Sequence, residues 1–273
     1  MNQSYYYIIA SLPDLSLNDK ETRYAFGTFR LEVQSLLKES DWELLKVLYY
    51  PADIRNFGKV LIKESEGWDD SAIYSKNEWE TLLQDTEGLP TFFTEFLEEH
   101  GNKKWEEQDY KYILNEVSAK FINWSRQLNN TFLRKWLHFE HNLKNLLIWL
   151  NSTKFNLDLK NEILGDYYEA NFLKTIDTQD INLKAWDYSF REVLGQYNNE
   201  NIALREYVLD EMKWKYLEEL AEPHPFGIEA IMTFAIKLQI INRNIVCTER
   251  AGKKRLEKIL YDIKKNYEIP TQL

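Results

Sequence analysis

Cysteine, glycine and proline are scarce in this chain, and each scarcity closes off a class of protein. The single cysteine, Cys247, leaves no disulfide within the chain, which fits a reducing, cytoplasmic setting. Nine Gly and six Pro across 273 residues are too few for the tight turns of a sandwich or barrel. Basic charge is short as well: 34 Lys and Arg face 44 Asp and Glu, a net of −10. A nucleic-acid partner is therefore not expected, because no cationic excess exists to release counterions. No segment approaches the ~20 consecutive apolar residues of a membrane-spanning helix. The opening residues also lack the basic leader of a signal peptide. Any membrane link is expected to run indirectly, through a partner.

Catalytic signatures are missing too. The sequence holds no GxxxxGK[ST] phosphate loop, GxGxxG, HExxH, GxSxG or CxxC, so no cofactor is expected. Asp69-Asp70 has Ile73 where a prenyl-diphosphate aspartate motif needs a third acid. The best metal candidate is His138-x-x-His141 with Glu140 between, since helical spacing brings residues three apart onto one face. A third ligand has no sequence partner, and no ferritin-like Glu-x-x-His occurs. Ordinary solvated or core histidines are the expectation, with no metal and no enzyme. A helical metal-dependent enzyme built on His138 and His141 is the alternative, and a generic helical scaffold is a further one.

Apolar residues make up 44% of the chain and aromatics 15%, enough to fill a sizeable core of helix–helix contacts. Apolar spacing of three and four predicts helices over about 21–38, 42–50, 51–61, 77–85, 90–99, 105–127, 131–151, 159–175, 181–196, 202–220, 226–249 and 253–266. Residues 5–9 read equally as strand or helix. Residues 64–77 are polar and read as a loop. The polar stretches Glu98 to Lys104 and Tyr197 to Asn201 are candidate boundaries. They divide the chain into units 1–100, 101–200 and 201–273, the third of them reduced or packed with the N-terminus.

Each unit contains one copy of a basic residue, then Asn, then a large apolar residue: Arg55-Asn56-Phe57, Lys144-Asn145-Leu146 and Arg243-Asn244-Ile245. The copies stand 89 and 99 residues apart, a domain-sized period. Asn is a poor helix-interior residue, because its amide competes with the backbone for hydrogen bonds. Asn145 shares a face with Ile148 and Trp149, and Asn244 with Ile240, Ile241 and Cys247. At least two of the three are expected to be buried, each bonding to a neighbouring helix and fixing helix register.

The third copy lies in the stretch from Phe234 to Val246. This stretch resembles the C-terminal helix of the rotary V-type/A-type ATPase component called C in prokaryotes and d in eukaryotes. There an aromatic precedes Lys-Leu or Lys-Glu and then an Arg-Asn-Ile-Val or Asn-Ile-Arg run. Lys237-Leu238 and Arg243 to Val246 carry the match. Asp53 to Phe57 and Asn142 to Leu146 resemble the related motif of that family's earlier repeats. Gln239, Ile240, Ile241 and Asn242 stand where the family often has an acid. The opening Tyr5 to Leu15 resembles a bacterial group encoded among V-type ATPase subunits, in the place where that same component would be expected.

The resemblance implies an all-α fold of three related helical bundles in a pseudo-threefold, funnel-like arrangement. It implies a non-catalytic central-stalk subunit, peripheral on the cytoplasmic face, whose partners are rotor-ring and central-shaft subunits of a proton- or sodium-translocating ATPase. Residues 229–273 carry nine Lys/Arg against five Asp/Glu, so the remainder carries −14. The basic terminal residues Lys253, Lys254, Arg255 and Lys258 are the candidate partner contacts.

Overall fold

Apolar side chains recur at three- and four-residue steps along most of this chain, and few glycines or prolines interrupt them. The computed structural model describes residues 5–64, 66–101, 104–105, 108–158, 160–176, 193, 195, 197 and 201–246. The described residues are all-α, with no strand among them. In order they form α1 (Tyr6–Ser11), α2 (Phe26–Gln34), α3 (Glu39–Lys46), α4 (Tyr50–Leu61), α5 (Lys76–Leu82) and α6 (Thr91–His100). Then follow α7 (Tyr110–Ser125), α8 (Thr131–Phe155), a 3-10 turn (Lys160–Glu162), α9 (Tyr168–Thr175), α10 (Ile202–Ala221) and α11 (Ile228–Val246). The expected helix over 181–196 falls almost wholly outside the described residues. Cys247 and the expected helix over 253–266, with Lys253, Lys254, Arg255 and Lys258, lie outside them entirely.

Several helices are shorter than apolar spacing suggests, and each has a visible reason. Of residues 5–9, all but Tyr5 join α1; Tyr5 is its N-cap, pinned by its N–H donating to the Phe226 carbonyl at 2.7 Å. The stretch expected as one helix over 21–38 is helical only from Phe26 to Gln34. Before it, Thr22 Oγ1 donates to the Tyr24 carbonyl at 2.6 Å in a local turn. The first N–H of α2, that of Phe26, donates to Asn242 Oδ1 at 2.7 Å. A side chain from the last helix thus does the work of an N-cap. α7 starts at Tyr110, because Asp109 accepts from the Lys111 N–H at 3.0 Å. α8 runs a turn further than expected and stops at Asn156, which takes the left-handed conformation (φ 51°) that Asn tolerates at a helix end.

The aromatic side chains sit chiefly inside. Phe57 is fully buried, with ring centroids of Trp79, Phe93 and Phe96 at 5.2, 5.0 and 5.7 Å. Phe92 carries the cluster on to Phe121 of α7 at 5.2 Å. Truncating a ring so placed costs about 3–5 kcal/mol. Between units, α4 and α6 pack on α7, α8 packs on α10, and α11 packs on α2 and α3. Each of the three units therefore touches both of the others. No helix among the described residues is long and apolar enough to cross a membrane.

Candidate functional site: a hollow shared by three helices

Successive residues on an α-helix point about 100° apart. In the first two basic–Asn pairs the side chains diverge, whereas Arg243 and Asn244 both reach the carboxylate of Asp210. Arg55 on α4, Lys144 on α8 and Arg243 on α11 all line one hollow of about 550 Å³. The Asn beside each turns to hold another part of the chain.

Asn56 and Asn145 are buried and use their amides identically. Asn56 Nδ2 donates to the Asp69 carbonyl and its Oδ1 accepts from the Asp69 N–H, both at 2.9 Å. Asn145 Nδ2 donates to the Leu164 carbonyl at 2.8 Å, and its Oδ1 accepts from the Leu164 N–H at 3.1 Å. Both Asn therefore clamp the backbone of a following loop, where the sequence suggested a bond to a neighbouring helix. Asn244 does bond to a helix: its Nδ2 donates to Asp210 Oδ2 of α10 at 2.9 Å.

The first clamp is reinforced by Asp53, one turn before Asn56. Its carboxylate is fully buried and accepts from the N–H groups of Ile73 and Tyr74, each at 3.0 Å. Burial pushes this carboxyl up to about 7, and the two backbone N–H groups only partly offset it. The residue in the corresponding place on α8 is Asn142. Its Nδ2 lies 3.1 Å from His138 Nε2, and its Oδ1 is buried without a partner.

The three cations differ in how they are balanced. Arg55 donates through Nε and Nη2 to Asp69 Oδ2, at 3.1 and 2.6 Å. Burial works to raise the Asp69 pKa, but hydrogen bonds from Ser71 and the Arg55 guanidinium hold it below the usual range. Arg243 donates to the buried Asp210 at 2.5 Å and lies 3.7 Å from Glu206. Lys144 makes no hydrogen bond or ion pair among the described residues. Lys213, a fourth cation on the same lining, pairs with Glu140 at 3.3 Å.

His141 also lines the hollow, and its buried Nδ1 has no partner. Burial, helped by Lys144, pushes its pKa down to about 3, so the ring is neutral. His138 is occupied elsewhere: Arg126 Nη1 meets its Nδ1 at 3.0 Å, and Glu169 faces its Nε2 at 3.4 Å. Among the described residues no three His, Cys, Asp or Glu side chains are grouped to hold a metal ion. Sequence reasoning missed two residues that matter here. Asp210 takes both members of the third pair, and Asn242 joins α11 to the start of α2. An isolated acid or amide on a mixed helical face gives no sign of its partner in sequence.

Residues 1–267 match the family model described as "Protein of unknown function (DUF2764)". No curated protein and no solved structure matches the chain.

Proposed function

We propose that this chain, which belongs to the DUF2764 family, is the non-catalytic central-stalk subunit of a V/A-type rotary ATPase. In this reading it couples the soluble shaft to the membrane rotor ring. Its three units are related helical bundles in a pseudo-threefold, funnel-like arrangement, and it reaches the membrane only through the ring, from the cytoplasmic face. The observation that carries the reading is the convergence of Arg55, Lys144 and Arg243, one per unit, on a single hollow. A repeated motif that meets around one space is what a body seated on a rotation axis calls for. The resemblance of the stretch from Phe234 to Val246 to the central-stalk component of those ATPases supplies the rest.

A torque-transmitting body must resist shear. Densely packed helices do so because protein interiors are barely compressible. The loop clamps by Asn56 and Asn145 tie the first two units internally, and Asn242 links the last unit to the first. The test is affinity purification of the tagged protein from detergent-solubilised native membranes, with mass spectrometry of what accompanies it. Stable recovery of rotor-ring and catalytic-head subunits is expected. A clean monomer would contradict the proposal and leave a generic helical scaffold.

A further inference from the structure

The two loop clamps are equivalent, and the equivalence exposes a gap. In the first unit the clamped residue is Asp69. Its backbone is held by Asn56 and its carboxylate neutralises the neighbouring Arg55. In the middle unit the clamped residue is Leu164, held by Asn145 through the same pair of backbone bonds. Leucine has no charge to offer the neighbouring Lys144. In the last unit Arg243 again has its acid, Asp210. Of the three corresponding cations, Lys144 is thus left without a counter-ion among the described residues.

Nor do the acids nearest Lys144 substitute. Glu140, one turn earlier on α8, is engaged by Lys213 at 3.3 Å. Glu162 takes Lys111 at 2.6 Å and Asn115 at 3.2 Å. Lys144 is exposed, and it lines the hollow together with Arg55 and Arg243. Desolvation by the surrounding helices pulls it below the ordinary lysine range, Glu140 and Glu162 pull the other way, and Arg55 lowers it further. A cation in such surroundings gains most from an anion delivered from outside. Leu147 and Ile148 line the same hollow and give it an apolar side.

We propose that Lys144 is the anchor of an anion site in this hollow, taking a carboxylate or phosphate group where Leu164 leaves the acid of the first unit unsupplied. The inference stands independently of the stalk reading. The anion arrives either as a free small ligand or as an acidic group on a docking protein.

The test is NMR of the full chain with its lysines ¹³C-dimethylated, titrated with inorganic phosphate and, separately, with acetate. The Lys144 signal is expected to titrate below the ordinary lysine range, to shift saturably with a Kd of about 1 mM or tighter, and to rise in pKa when the anion is bound. Lys144→Gln should weaken phosphate binding by about tenfold or more. Leu164→Asp should do the same by supplying the missing acid. If that variant fails to fold, Lys144→Gln still decides the matter. Stronger binding of phosphate than acetate points to a free phosphoryl ligand, and the reverse to a protein carboxylate. A Lys144 signal that moves no more than those of Lys160 and Lys215, or Lys144→Gln binding phosphate as the parent does, overturns the proposal. Absence of ATPase subunits from purified material would sink the stalk reading and leave this titration untouched.

Discussion

Asparagine inside an apolar helix is costly unless both ends of its amide are used. Asn145 uses both and adds a bond to Tyr167 Oη at 3.0 Å. Asn145→Ala would leave the Leu164 N–H and carbonyl unpaired in a buried place, a loss of about 1–3 kcal/mol in urea unfolding. An unchanged midpoint would mean that the loop is held by packing alone. Asp53 and His141 set up an opposed pair of pH effects. Asp53 has a folded pKa raised to about 7, so it favours folding at low pH and that contribution is lost as pH rises from roughly 4 to 7. His141 has a folded pKa depressed to about 3, so its contribution is present above the ordinary histidine range and is lost as pH falls toward 3. Between roughly pH 4 and 6.5 the two slopes have opposite signs. Asp53→Asn should therefore make stability rise more steeply with pH in that window, and His141→Gln should make it fall. Urea midpoints at two pH values check both, and parallel profiles for all three proteins would refute the assignment.

At the level of helices, much is legible in the sequence and the misses have physical causes. Pro51 and the stripe of Ile54, Phe57 and Leu61 mark α4, and the leucine spacing of 133, 137, 143, 146 and 150 marks α8. The basic–Asn pattern picks out three side chains that do line one hollow. What the Asn residues bind is not legible, because Asn56 and Asn145 hold backbone atoms, which have no side-chain identity to read. The stretch over 159–175 looks like one helix, yet it holds a 3-10 turn and then the loop that Asn145 clamps. The shortening of α2 is equally hidden, since its cap, Asn242, lies 216 residues away. That cap gives a prediction for two elements at once. Asn242 also donates to Thr22 Oγ1 at 3.0 Å, so Asn242→Ala should cost about 1 kcal/mol. It should also speed amide exchange at Phe26, whereas exchange confined to other amides would remove Asn242 from the capping role.

Seen as one body, the chain pairs an acidic bulk with a basic end: −14 before residue 229 and nine Lys/Arg against five Asp/Glu after it. Charge concentrated this way favours contact with an acidic partner and weakens with salt. Reversing Lys253, Lys254, Arg255 and Lys258 to Glu should lower the yield of the ATPase assembly and its salt sensitivity together. Yield and salt dependence equal to the parent's would exclude that segment from the interface. A body on a rotation axis also occurs once per rotor, which is the sharper demand of the stalk proposal. Native mass spectrometry of the ATPase isolated from the source membranes counts this directly. One copy of this 32.8 kDa chain bound with the ring and shaft is the expected result. Its absence from the intact complex, or its presence in several copies, would contradict the proposal.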